Sequence, residues 1–559
     1  MRCLQQLAGG FMGVSGLLIL AGCHGTSPTS SPPVTAAGTP KVSARVQAEV
    51  EDQLKGALDQ LQLGNLGIDT QLNDAVSVLN NWWSVIKDSD LKPTGLTPPA
   101  IPADRVPAEL LPRLERDTFD LEDGAYIHAA YVAHTIAGRL SDQSDRDLER
   151  VVLAFEWVCR NVTLAPEDEP LPPLAFSEFL MVGRGRPAER AWALAQILKQ
   201  LKIDCVVLRP QQGGVTETIL VGVPLDGEVY LFDPQLGLPL IRGDEPAGTH
   251  IRQPATLREL REHPDWLKAL SARSDQAYEL TVEQIGEMRV DAVTSPNSWA
   301  ARMWMLEQML PSEFLCVLYD APAAIGSAPG VFERIAAAEP SWSADKINVW
   351  TYPLVRQVQM MSLGTSGDPN LLRLFQVTMQ PFLAPLEARR DQETRVAEEL
   401  EANRKYFGES LATPSRQTGQ GGTIAPSMRH ARARILQLQG HHADAVANFV
   451  TLRHLAVTPP PDPAWQSIYQ RAAEDAFYWS CVCQYEIGEY ELAAKSLADY
   501  LKRYRRGNWH GPAALLLAEC QRELDHLPEA VQALKTATLD EGYRTTMAIL
   551  ARRWGEAKE

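Results

Sequence analysis

Three stretches near the C-terminus share one pattern: Gly440-x4-Ala445-x3-Phe449, Gly488-x4-Ala493-x3-Leu497 and Asp525-x4-Ala530-x3-Leu534. In each, one helical run ends at the Gly or Asp and a second opens just after it. The alanine lets two helices approach, and the large residue four positions on shares its face and fills the seam. A chain written this way is committed to stacked helical hairpins, since one hairpin cannot bury its apolar face alone. The motifs are 48 and 37 residues apart, so the turns between hairpins carry insertions relative to a repeat of roughly 34 residues.

The chain has 559 residues, and at roughly 100–200 residues per domain it must be multidomain. Apolar residues make up 45% and charged residues 22%, which excludes a disordered, collagenous or polytopic membrane chain. The 53 Lys and Arg face 70 Asp and Glu, a net charge of -17. That surplus repels phosphates, and no basic cluster offsets it, so nucleic acid is not an expected partner. The eight cysteines are too scattered for a disulfide framework. Cys481 and Cys483 lie two apart in a helical pattern and point in different directions, which does not suit zinc. His128 and His134, six apart on one apolar helix, also diverge. No nucleotide-binding glycine loop, HExxH or Gly-x-Ser-x-Gly occurs. Neither a metal nor a cofactor is expected.

Residues 1–22 contain one cation, Arg2, then an apolar stretch from Leu7 to Leu20, and end in Leu20-Ala21-Gly22 before Cys23. The run is shorter and more glycine-rich than a spanning helix of about 20 apolar residues. Small residues directly before a cysteine resemble the lipobox of a bacterial lipoprotein signal. The resemblance implies that Cys23 begins the mature chain and carries lipid, palmitate included, as an anchor in the membrane. His24, not Asp, follows Cys23, which by the same resemblance implies outer-membrane attachment facing the periplasm. Residues 23–42 are mostly Gly, Ser, Thr, Ala and Pro, a composition that reads as a flexible tether.

Residues 43–105 carry two apolar stripes at helical spacing, Val46 to Leu61 and Leu72 to Leu79, then a proline-rich linker. Trp82 and Trp83 close the second stripe and are expected to pack on the next domain. Residues 106–250 read as α+β. Helices are expected at Ala125–Leu140, Asp142–Asn161 and Phe176–Val182, and a fourth opens at Pro187 and runs to about Leu201. A strand at Cys205–Leu208 follows. Thr218–Val223, the turn Leu225-Asp226-Gly227 and Val229–Phe232 form a hairpin. Residues 251–425 read as mainly helical, with a strand within 280–293, a charged helix at 384–405 and a linker at 411–425.

Between Asp145 and Pro234 the order of motifs resembles the transglutaminase-like superfamily, whose chemistry is papain-like. Trp157-Val158-Cys159-Arg160-Asn161 matches its helix-ending motif. Gly183-Arg184-Gly185-Arg186-Pro187 stands at its glycine-rich turn, Lys202-Ile203 at its Gly-Ile, and Phe232-Asp233-Pro234 at its closing Asp-Pro. The family needs a thiolate at a helix N-terminus, a His that takes the proton, and an Asp that orients the ring. The equivalent positions here are Pro187, Thr218 and Asp233, and Thr135 to Thr249 contains no histidine. Only the aspartate is kept, and alone it serves to cap a turn. Cys159 and Cys205 are the nearest thiols, and both read as small buried hydrophobes.

Residues 426–559, through the signature Gly440, Ala445, Phe449, Gly488, Ala493, Leu497, Asp525, Ala530 and Leu534, resemble tetratricopeptide repeats. That likeness implies a solenoid which binds a protein or peptide on its concave face. Tyr478, Trp479, Tyr485 and Tyr490 are read mostly as core. The sequence thus leads to an exported, membrane-tethered lipoprotein, a non-catalytic scaffold or peptide-binding module on a degenerate transglutaminase-like domain. The alternative is a cysteine-type amidase, protease or transglutaminase with a displaced nucleophile.

Overall fold

The computed structural model describes residues 44–65, 69–87, 89, 91, 100–106, 108, 110–210, 219–248, 251–271, 278–363, 368–379, 382, 421–455, 463–536 and 541–556. Cys23, the leader, the tether, the charged stretch 384–405 and Thr218 lie outside them.

Helices α1 (Ala44–Gln60) and α2 (Asp69–Ile86) pair through the two stripes. Leu54, Leu58, Leu79 and Trp82 are buried, while Val46 at the edge of the first stripe is exposed. Both tryptophans pack as expected, and Trp83 Nε1 donates to Asp117 Oδ1 at 2.9 Å. After α3 (Leu111–Leu114), α4 (Leu121–Ser141) opens with Asp120 accepting from the Glu122 and Asp123 amides.

Helix α5 (Asp147–Asn161) leads into β1 (Thr163–Leu164), α6 (Phe176–Val182), β2 (Arg184–Gly185) and α7 (Pro187–Gln200). β1 and β2 pair in parallel and place the turn at Gly183–Arg186 against the end of α5. The main sheet takes β3 (Val206–Arg209), the hairpin β4 (Leu220–Leu225) and β5 (Glu228–Asp233), and β6 (Leu238–Pro239). The hairpin turns at Asp226 and Gly227, both at positive φ, 52° and 77°.

Two further strands come from the stretch read as mainly helical. β7 (Arg289–Ala292), within the expected 280–293, pairs antiparallel with β3, and β8 (Asn348–Val349) pairs parallel with β7. The order is β6-β5-β4-β3-β7-β8. One face, with Val207, Val221, Val223 and Phe232, joins the core around α4–α7. The other, with Val206, Leu208, Leu220 and Leu231, packs with α8 (Leu257–Glu262), α9 (Val282–Gly286) and α11 (Val331–Ala337). Between these, α10 (Ala301–Gln308) is held to α4 by Arg302, which donates to buried Asp123 at 2.7 and 2.9 Å. Helices α12 (Tyr352–Met361) and α13 (Pro369–Met379) complete this mixed α+β part.

Lys202 ends α7 at φ 60°, with Ile203 N donating to Leu198 O at 2.9 Å. This is the left-handed helix stop that glycine fits without strain, at the position where the resemblance places a glycine.

The remaining helices are α14 (Gly421–Gln439), α15 (His442–Leu455), α16 (Pro463–Glu486), α17 (Tyr490–Arg503), α18 (His510–Glu523), α19 (Leu527–Thr536) and α20 (Glu541–Gly555). α14 begins at Gly421, so the expected linker does not extend to 425. Each helix packs on the next, as in a solenoid. Gly440, Gly488 and Asp525 end the first helix of each hairpin at φ 87°, 79° and 61°. Ala445, Phe449, Ala493, Leu497, Ala530 and Leu534 are all buried in the seams. Tyr478 stacks on Trp509 at 4.9 Å, and Trp479 meets both rings edge-on. Tyr478, Trp479 and Tyr485 are core residues, and Tyr490 is half-buried.

Candidate functional site

Pro187 is the first residue of α7 and has no amide hydrogen to offer. Two residues on, Glu189 closes the helix start by accepting from the Arg186 amide at 2.8 Å. It also accepts from the Tyr352 hydroxyl and pairs with Arg356 at 3.2 Å. The helix end where a thiolate would be stabilised is thus occupied by the chain's own carboxylate, which the dipole favours.

Asp233 lies at the end of β5 and is 2% exposed. One carboxylate oxygen accepts from the Gln235 and Leu236 amides, both at 2.8 Å, and caps the turn. The other accepts from the Tyr278 hydroxyl at 2.6 Å. Burial pushes this carboxyl up to about 6, against the opposing pull of the phenol and the two amides. In the family chemistry an imidazole would take that second oxygen. Tyr278 is 45 residues away in sequence and belongs to no motif, so spacing could not have singled it out.

The nearest thiols are not activated. Burial raises Cys159 to about 11, opposed by Arg190 and Arg160, and pushes Cys205 up further. His128 Nδ1 lies 2.8 Å from the Leu61 carbonyl, whereas His134 is exposed on α4. Cys481 and Cys483 are fully buried, and Cys481 donates to Phe477 O at 3.2 Å. Among the described residues no three metal-binding side chains come together.

Arg190, one turn into α7, fills the space between that helix and the end of β5. Its guanidinium is 2% exposed and donates to Val162 O at 2.7 Å, Pro234 O at 3.0 Å, Cys159 O at 3.3 Å and the Tyr543 hydroxyl at 3.3 Å. Tyr543, on the last helix, accepts in turn from the Leu164 amide at 2.7 Å. Thr546 on the same helix donates to Leu236 O at 2.7 Å. Arg190 lies between Asp145 and Pro234, and no sequence pattern marks its role.

Helix α14 packs on α4 and α6 of the α+β domain. Arg434 on α14 is fully buried and donates to the carbonyls of Leu180 and Met181 at the C-terminal end of α6. It also lies 3.6 Å over the Trp479 ring, and burial lowers it to about 9. Gln437 donates to Asn161, the last residue of the Trp-Val-x-x-Asn motif, at 3.1 Å. Trp479 sits so close to Gly183 that a Cβ there would fall 2.2 Å from the ring, and Gly183 itself has φ 73°.

These contacts border a cleft at the junction, with a cavity volume of about 80 Å³. Its wall on the α+β side is Glu156, Cys159, Arg160, Arg190 and the segment Leu236–Pro239. On the helical side it is Tyr478, Leu515, Leu516, Glu519, Arg522, Tyr543, Leu550 and Trp554. Arg160 pairs with Glu486 at 3.0 Å, and the Trp554 ring is buried with no partner for its N–H among the described residues. No protein-family model, curated protein or solved structure matches this chain.

Proposed function

We propose that this chain is an exported, lipid-anchored, non-catalytic binding protein whose ligand site is the junction cleft. The observation that carries the reading is the occupation of the acyl-transfer positions. Tyr278 holds the aspartate oxygen that an imidazole would need, and Arg190 fills the space between α7 and β5. Groups arranged this way rigidify a scaffold, and among the described residues the partner of that aspartate oxygen is a phenol in place of an imidazole. Both domains contribute to the cleft, so a ligand there engages the degenerate domain and the repeats together. Its apolar walls and charges of both signs suit a peptide segment carrying apolar side chains.

The anchor is tested by metabolic labelling with palmitate in a Gram-negative host. Label is expected on the wild type and absent from Cys23→Ser. For the site, fluorescent peptides are titrated against the purified chain and against Leu515→Arg, which narrows the cleft from a half-buried position. Saturable binding that weakens at least tenfold in the variant is expected, with the peptide recovered intact. Peptide turnover that disappears in Cys159→Ser would instead establish the displaced-nucleophile amidase, because Cys159 lines the cleft beside Arg190.

A further inference from the structure

The second helices of the first two hairpins both end in cations. Helix α15 closes with Arg453 and His454, and α17 closes with Lys502 and Arg503, followed by Arg505 and Arg506. These charges are too few to offset the acidic surplus of the chain, but they lie together. Arg453 sits 3.6 Å over the Phe477 ring of α16, Phe477 meets Tyr504 edge-on at 6.1 Å, and Arg503 lies over Tyr504 at 5.4 Å. Two consecutive hairpins thus place their last arginines along one pair of rings. Lys502, Arg503, Arg505 and Arg506 are exposed, and Arg453 is half-buried.

The carboxylates around this edge are committed. Asp499 reaches Lys502 at 3.8 Å. Glu474 accepts from the Tyr500 hydroxyl at 2.9 Å and the Asn508 amide at 2.5 Å, and Asp475 accepts from the Trp509 ring N–H at 2.8 Å. Among the described residues no carboxylate pairs with Arg453, Arg503, Arg505 or Arg506. The helix dipole accounts for a cation in a last turn. It does not account for two arginines beyond the end of α17, or for a half-buried guanidinium without a counter-charge. Burial lowers Arg453 from its ordinary value, against the opposing pull of Cys481, Tyr504 and Asp499, and Arg503 lowers it further. An arriving carboxylate would offset that cost.

We infer that this basic edge of the repeats, Arg453 with Lys502, Arg503, Arg505 and Arg506, is a docking site for an acidic polypeptide segment of a partner protein. A guanidinium held over a ring is preorganised, and its planar fork takes both oxygens of a carboxylate. An anionic bilayer would face the whole body and be repelled by its net charge of -17, whereas a short acidic segment meets only charges within a screening length of roughly 8–10 Å. None of the five residues lines the junction cleft, so the inference needs neither a ligand there nor lipid on Cys23.

The test is fluorescence anisotropy of labelled hexaglutamate against the purified chain, with hexaglutamine as the uncharged control peptide. Saturable binding is expected for the acidic peptide alone. Arg503→Gln/Arg505→Gln/Arg506→Gln is expected to weaken it about tenfold with an unchanged circular dichroism spectrum. Arg146→Gln/Arg258→Gln/Lys268→Gln removes the same charge from exposed sites on the α+β domain and is expected to leave binding intact. Leu515→Arg, in the cleft, is expected to bind hexaglutamate as the wild type does, which separates this site from the cleft. Absence of binding, or equal loss in the two triple variants, overturns the inference. Loss in Leu515→Arg also overturns it, by placing the peptide in the cleft. So does flotation with phosphatidylglycerol vesicles that the variant at 503, 505 and 506 loses, because a lipid surface would then occupy the edge.

Discussion

Asp233 shows at a single side chain how burial sets a carboxyl's charge state in this fold. Its carboxyl is raised from its ordinary value to about 6 by burial, so the folded state holds the proton more tightly than the unfolded chain does. The resulting stabilisation is complete below the unfolded value near 4 and is lost as pH rises through 6. The amount is about 3 kcal/mol. Asp233→Asn cannot ionise and still presents an oxygen to the Gln235 and Leu236 amides. Its melting temperature is therefore expected to match the wild type near pH 4 and exceed it above pH 7, read by calorimetry across that range. A wild-type advantage at pH 8 would show that the ionised carboxylate is the better fit. Tyr278→Phe removes a hydrogen bond to the buried carboxylate, and at pH 7 is expected to cost about 1–3 kcal/mol. The helix start at Pro187 and the strand end at Asp233 were readable from the proline and the hairpin pattern. Tyr278 and Arg190 were not, since their roles arise from what folding brings beside them.

Among the elements, the paired helices of the repeats were the most legible feature. A residue that ends a helix at positive φ announces itself as glycine, and Gly440 and Gly488 do so. Lys202 and Asp525 hold the same conformation at 60° and 61° without being glycine, so residue type alone does not announce these stops. Lys202→Gly and Asp525→Gly are each expected to stabilise the fold by about 1 kcal/mol, since a side chain in this conformation costs roughly 1–2 kcal/mol. Gly488→Ala meets open space, so it should lose only that conformational amount. Gly440→Ala should lose more, because its Cβ would fall 2.3 Å from Arg139. Urea unfolding of the four variants checks the ranking, and a Gly440→Ala no worse than Gly488→Ala would contradict the packing of α4 against this turn. Strands β7 and β8 lie at the opposite extreme. The first could be suspected from its alternation, but nothing local told it to join β3 across 80 intervening residues or so.

For the molecule as a whole, the repeats and the α+β domain share their interior. Residues of α18, α19 and α20 belong to the same core as one face of the sheet, and Arg434, Gln437, Trp479 and Tyr543 make buried contacts with the α5–α7 region. A sequence read domain by domain assigns these aromatics and arginines to separate cores, because periodicity reports which face is buried and not what buries it. Shared burial has a thermodynamic consequence: neither part can open without exposing the other. Calorimetry is therefore expected to give one cooperative transition spanning both parts. Tyr543→Phe leaves the Leu164 amide without its acceptor inside the protein, at about 1–3 kcal/mol. Trp479→Ala empties the space over Gly183, at about 3–5 kcal/mol. Each should lower that single transition, and hydrogen exchange should quicken in α6 and α7 as well as in the helices that carry the substitutions. If exchange rises only in α14–α20 while α6 and α7 stay protected, the two parts are independent units. The cleft between them would then open and close without cost to either fold.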